Sequence, residues 1–268
     1  MLHPYKGWRQ DEHFGRIAYN SFEGDRSTYD FNSLGFRGEE FDAEAQVKLF
    51  VCGCSFTFGI GLELEESWPF LLKQRLAAHR DLAASSVNLL NFSEAGASND
   101  YIARTLIEQS ARVRPDLIVA GFTQMVRFEL LDEKMTFRFN PPVLQKYASA
   151  GGKFAEMAKR MEFVFLGTDE IQEKMRTIKN MLLLQYFSQS RSIPFIFLFF
   201  WGKDLVSLLS TPMTRPLYEE IDHDLVVPLT RGDGTTQVDH AADGVHPGPR
   251  SQEVIAAAAW RIFEERYL

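Results

Sequence analysis

The stretch Val47-Lys48-Leu49-Phe50-Val51-Cys52-Gly53-Cys54-Ser55-Phe56-Thr57-Phe58-Gly59 decides the fold. An apolar run rich in Val and Phe stops at Gly53, and a serine follows with glycines on both sides. Apolar runs of that length bounded by a turn signal predict a buried strand. Residues 63–80 then carry Leu64, Trp68, Leu71, Leu72 and Leu76 at helical spacing, with Pro69 in the first turn, where proline is tolerated. A serine on a tight strand-to-helix turn exposes its hydroxyl and aims backbone N–H groups at an incoming oxyanion. The same residues also read as an ordinary strand end with a serine cap, and the rest of the chain must separate the two.

Working outward, Val87-Asn88-Leu89-Leu90-Asn91-Phe92 predicts a second strand, running into the small-residue loop Ser93-Glu94-Ala95-Gly96-Ala97-Ser98-Asn99. A helix is expected over 100–112, with Ile102, Leu106 and Ile107 on its buried side. Residues 115–121 predict a third strand, ending in Phe122-Thr123-Gln124. Residues 169–189 predict a long helix, 195–200 a fourth buried strand, and 251–267 an Ala-rich closing helix. Residues 130–168, with Asn140-Pro141-Pro142 and Gly151-Gly152, read as a partly helical insertion without a clean strand, placed as a pocket wall or lid. Residues 201–240 read as a long connection. Alternating strands and helices predict an α/β chain, a three-layer α/β/α sandwich around a parallel sheet, with functional residues on loops after the strand C-termini. Residues 1–46 are too poor in aliphatic side chains to build a core and are expected to pack as an arm on a main domain spanning 47–268.

The composition narrows the function. The 268 residues include 45% hydrophobic and 13% aromatic side chains, enough for a sizeable core. A net charge of −7 without a Lys/Arg block gives nucleic-acid binding no electrostatic support. The two cysteines, Cys52 and Cys54, are read as reduced core residues, since strand neighbours two apart do not form a regular disulfide. No apolar run is long enough to span a bilayer. The N-terminus lacks the apolar core of a signal peptide, so a cytoplasmic location is expected. No cofactor is expected, and no metal: His223 between Asp222 and Asp224 lacks further spaced ligands.

Four strand ends or late loops hold residues that suit a hydrolase: Ser55; Gly96, before a helix N-terminus; the Gly121-Phe122-Thr123-Gln124 turn; and Asp243-Gly244-Val245-His246-Pro247-Gly248. Three-residue spacing in a turn lets Asp243 orient the His246 imidazole while His246 takes the proton from Ser55. Asp-x-x-His alone also reads as a capped turn before a helix. His240 with Asp239 is a weaker rival, having no rigid turn behind it. Cys54 is a rival nucleophile, but as a strand-end neighbour of Ser55 it points the other way. Arg127 and Glu129 are placed at the pocket or in a surface ion pair, and Arg37 at the surface first, or else on an acidic partner.

These blocks together resemble the SGNH (GDSL-type) hydrolases, a flavodoxin-like esterase family. Gly53-Cys54-Ser55-Phe56-Thr57-Phe58-Gly59 resembles the first block, with Cys54 where the family usually has Asp. Asn91 to Ser98 is similar to the second, residues 115–124 to the third, and Asp243 to Gly248 to the fifth. Asn32-Ser33-Leu34-Gly35-Phe36-Arg37-Gly38 resembles a segment found ahead of the first block in one branch. The resemblance implies Ser55 as nucleophile, His246 as base and acid, Asp243 as its partner, and the N–H groups of Ser55 and Gly96 in the oxyanion hole. The third block usually carries an Asn donor, and here Thr123 stands in its place with Gln124 next. The implied activity is hydrolysis of a small acyl ester, with O-acetylated carbohydrate as substrate by analogy. An acyltransferase with the same triad and a non-catalytic binding module are the alternatives.

Overall fold

The computed structural model describes residues 1–2, 15–18, 28–131, 136–139, 170–200, 205, 211–229 and 236–268, with isolated positions between 148 and 162. Five strands form one sheet: β3 (Val47–Gly53), β4 (Val87–Asn91), β5 (Leu117–Phe122), β8 (Phe195–Phe199) and β9 (Val226–Pro228). Two small antiparallel hairpins, β1 (Gly15–Ala18) with β2 (Thr28–Phe31) and β6 (Phe128–Leu131) with β7 (Thr136–Phe139), lie outside it.

The sheet is parallel throughout, in the order β4-β3-β5-β8-β9. Counted along the chain this is 2-1-3-4-5, the flavodoxin-like order that reverses between β3 and β5. Nearly every residue of β3, β4, β5 and β8 is buried. Both faces of such strands must be covered, which is why their sequences are mainly apolar rather than alternating.

The cover comes from two helix pairs. Helix α2 (Trp68–His79) packs on the closing helix α6 (Pro249–Tyr267), and α3 (Asn99–Arg112) packs on α4 (Glu170–Ser190). Ser98 caps α3 by accepting from the Tyr101 N–H at 3.2 Å, and Pro69 occupies the first turn of α2, as its fixed φ allows. No described helix is long and apolar enough to cross a membrane.

Three elements differ from the sequence reading. The helix expected from residue 63 begins at Trp68, after a separate 3-10 turn at Leu64–Glu66. The connection after β8 contains the short helix α5 (Arg215–Tyr218) and the edge strand β9. The apolar run Leu225-Val226-Val227 is the signal for β9, and Pro228 sits at its end on the sheet edge, where a missing N–H costs least. The insertion does contain a strand, because β7 pairs back on β6; most of residues 130–168, and with them the lid reading, lie outside the described residues.

The described end of the N-terminal arm packs inward. Phe36 belongs to the main core, while Tyr29 and Phe31 cluster with Phe58 and Ile60 just past Ser55.

Candidate active site

β3 delivers the chain to Gly53, Cys54 continues extended, and one helical turn follows, α1 (Ser55–Phe58). The switch is crowded. A Cβ on Gly53 would lie 2.1 Å from the Thr57 hydroxyl oxygen, so the turn closes against bare backbone. Gly59 ends the turn at φ +81°, the left-handed region where a side chain is strained.

A one-turn helix cannot satisfy its own carbonyls. Here each is met differently. The Ser55 carbonyl accepts from the Gly59 and Ile60 N–H groups at 3.0 and 3.2 Å. The Phe56 carbonyl accepts from Gln252 Nε2 at 3.4 Å, that of Thr57 from Asn91 Nδ2 at 3.1 Å, and that of Phe58 from Arg37 Nη1 at 2.6 Å. Four carbonyls are therefore held by the turn itself, the closing helix, the end of β4 and the N-terminal segment.

The second half of the site precedes α6. The Asp243 side chain is fully buried and pairs with His246 Nδ1. Its Oδ1 also accepts from the backbone N–H groups of Val245 and His246, at 2.8 and 2.9 Å. Burial alone pushes the Asp243 carboxyl up, but the donors from His246 and Val245 outweigh it, and the group is held below the usual carboxylate range. His246 keeps 15% of its side chain exposed.

A bridge between His240 and Pro247, with Ala241 N–H donating to the His246 carbonyl at 2.8 Å, folds this loop back on itself. Gly248 makes the return possible: a Cβ there would stand 2.6 Å from the His240 carbonyl oxygen. Asp239 then caps α6, accepting from the Arg250 and Ser251 N–H groups at 3.0 and 2.8 Å. Burial raises the Asp239 carboxyl, but its bonds to Ser251 and Arg250 outweigh this and hold it below the usual range.

The two halves touch. The His246 ring meets Phe56 edge-on, centroids 5.7 Å apart, rather than through a hydrogen bond to the Ser55 hydroxyl. Gly61 and Ala241 are so close that a Cβ on the glycine would come within 3.0 Å of the alanine methyl. Gln252, 1% exposed, ties the halves together by donating to the carbonyls of Phe56 and Pro247 while accepting from the Trp68 N–H at 2.8 Å. Sequence reasoning missed Gln252, which carries no local signal beyond its place in a first helical turn.

The β4 loop lies alongside. Glu94 N–H donates to the Gly53 carbonyl at 3.1 Å, and Ala97 N–H closes a turn onto Glu94, with Gly96 at φ +80°. Thr123 follows β5 and is fully buried; its N–H donates to Asn99 Oδ1 at 2.8 Å and its hydroxyl has no partner among the described residues. Gln124 beside it is half-buried. Asn99, also missed, uses both amide hydrogens on the Thr123 carbonyl and Thr177. Arg127 donates to the Ala97 carbonyl at 3.3 Å, beside Gly96. Glu129 pairs with Arg104 rather than Arg127.

Arg37 is the plainest correction. Expected at the surface, it is 3% exposed. Asn32 explains its placement: the side chain accepts from the Leu34 and Phe36 N–H groups, both at 3.0 Å, and curls the segment so that the guanidinium turns inward.

The rivals fall elsewhere. His240 is exposed and its neighbour Asp239 serves as the α6 cap. His223, in a 3-10 turn, packs its ring against Tyr218 with centroids 4.5 Å apart. No group of three or more metal-binding side chains occurs among the described residues. Both cysteines are free and fully buried, whereas Ser55 retains 8% exposure.

No protein-family model and no curated protein matches the chain. Solved structures do resemble it. The chain is 15% identical to TesA, with a TM-score of 0.47, covering 81% of this chain and 98% of that one. For a psychrotrophic esterase EstA from Pseudoalteromonas sp. the values are 14% and 0.46, with 81% and 97% coverage. For a carbohydrate esterase family 3 protein from Talaromyces cellulolyticus they are 13% and 0.42, with 82% and 98% coverage.

Proposed function

We propose that the protein is a serine esterase that hydrolyses a small acyl ester through an acyl-enzyme. The observation that carries this reading is the Asp243–His246 pair, with the Asp243 side chain buried and the imidazole packed on the Ser55 turn. That turn follows β3 beside the point where the strand order reverses, where α/β sheets bind ligands.

In this reading Ser55 Oγ attacks the ester carbonyl as His246 Nε2 takes its proton. Nδ1 is already engaged by Asp243, which selects the tautomer and stabilises the imidazolium. The oxyanion is met by the N–H groups of Ser55 and Gly96, each such donor contributing ~3 kcal/mol to lowering the barrier. The third donor comes from the turn after β5. Thr123 and Gln124 share that turn, and accessibility favours Gln124, because the Thr123 hydroxyl is sealed from solvent. The leaving alcohol takes the proton from His246. Water, deprotonated by the same imidazole, then releases the acid and Ser55. The Ser55–His246 hydrogen bond forms on substrate binding, as catalytic contacts tighten in the Michaelis complex. The substrate we favour is an O-acetyl group on carbohydrate, by the family resemblance.

Labelling with a fluorophosphonate tests the reading. An adduct on Ser55, lost in Ser55→Ala together with p-nitrophenyl acetate hydrolysis, supports it. A wild-type chain that takes no label leaves the non-catalytic module, and product analysis with added sugar acceptors separates hydrolysis from acyl transfer.

A further inference from the structure

We infer that Arg37, in the segment ahead of β3, is a positioning residue that sets the geometry of the Ser55 turn. Its significance for turnover rests on the esterase reading, but the contact itself does not.

Three carbonyls receive its guanidinium. Nη1 donates to Phe58 at 2.6 Å and Gly59 at 2.7 Å, and Nη2 donates to Leu62 at 2.6 Å. These oxygens span the end of α1 and the loop that follows. The cation stacks over the Tyr29 ring at 4.4 Å and lies 5.4 Å from the Phe58 ring. No carboxylate among the described residues comes within ion-pair distance of it. A buried cation without a paired anion is costly, and here backbone carbonyls and aromatic faces take the anion's place. Burial lowers the Arg37 pKa to about 10, with Tyr29 and nearby carboxylates opposing the drop, so the group stays charged at neutral pH.

The arrangement suits the guanidinium alone. Its planar fork places donors on separate oxygens, whereas an ammonium is a compact point charge on a flexible stem. Gly59 leaves the room: a Cβ there would lie 2.8 Å from Arg37 Nη1. A cation at this end also matches the carbonyl-rich C-terminus of the turn. Without it, the Phe58 carbonyl loses its side-chain donor and the span 58–62 loses its common anchor. Ser55 sits on the same single turn, and errors of about 1 Å at a reacting group cost on the order of 100-fold in rate.

Hydrogen exchange and kinetics on Arg37→Met and Arg37→Lys test the inference. In Arg37→Met, exchange in the 56–62 peptide should accelerate at least tenfold while the 117–122 peptide stays at the wild-type rate. kcat for p-nitrophenyl acetate should fall ~10- to 100-fold with KM changed less than about twofold, and Arg37→Lys should recover part of both losses. Unchanged exchange in 56–62, or equal acceleration in both peptides, overturns the inference. If Arg37→Met does not fold, the same contrast is read in Arg37→Lys. A wild-type chain inert to fluorophosphonate defeats the esterase reading, while the exchange contrast still decides the role of Arg37.

Discussion

Asp243 grips His246 twice, accepting from Nδ1 of the ring with one carboxylate oxygen and from the backbone N–H with the other. Ring orientation and loop shape therefore depend on one side chain. In Asp243→Asn the amide oxygen can keep the backbone contact, but the negative charge facing the ring is lost. The expected result is a drop in kcat on the order of 10³- to 10⁴-fold, with fluorophosphonate labelling slowed in parallel and near-native circular dichroism.

Two carboxylates predict the acid limb of stability. Asp243 and Asp239 are both held below the usual range, so the unfolded chain binds more protons than the native one in acid. Their stabilisation is complete above the ordinary carboxylate pKa of about 4 and disappears as pH falls through the lower native values. Urea midpoints should decline steadily below pH ~5. Asp239→Ala should lose about 1 kcal/mol at neutral pH, the value of a helix cap, and show a shallower decline. A wild-type slope in that variant would remove Asp239 from the account.

The third oxyanion donor is decided by a pair of substitutions. Thr123→Val removes a buried hydroxyl that has no partner among the described residues, so stability should hold or rise and kcat should stay within about twofold. Gln124→Ala should lower kcat on the order of 10- to 100-fold if its amide reaches the oxyanion. The reverse ranking would return the role to Thr123.

Gly248 carries a steric prediction. A methyl group there collides with the His240 carbonyl and with Asp239 Cγ at 2.7 Å. Gly248→Ala should cost about 1–3 kcal/mol as the loop shifts, and ester turnover should fall with it. Equal thermal melts for variant and wild type would show that the loop yields freely.

The sheet was legible in the sequence because strands buried on both faces are mainly apolar, and 47–53, 87–91, 117–122 and 195–199 are such segments, with Lys48, Asn88 and Asn91 as polar exceptions. The edge strand β9 was not, since three residues ending in proline resemble a loop. Ser55, Asp243 and His246 stood out because each lies in a compact local pattern. Gln252 and Asn99 were not legible as site residues for the opposite reason: their partners, mostly backbone groups, are brought beside them only by the fold. Arg37 was misread because surface placement is the ordinary outcome for a lone arginine, and nothing local shows that Phe58, Gly59 and Leu62 will turn their oxygens toward it.

The carbonyls of α1 also set an order of assembly. Their side-chain donors stand 21, 34 and 196 positions away along the chain. Only the last spans further than the strand pairings of the sheet, such as Leu49 with Leu117 and Ile118 with Phe195, so range alone puts the Gln252 contact last. A folding intermediate with its central strands paired but the closing helix undocked would leave the Phe56 carbonyl without its donor. The onset of labelling at Ser55 during refolding would then report the docking of α6.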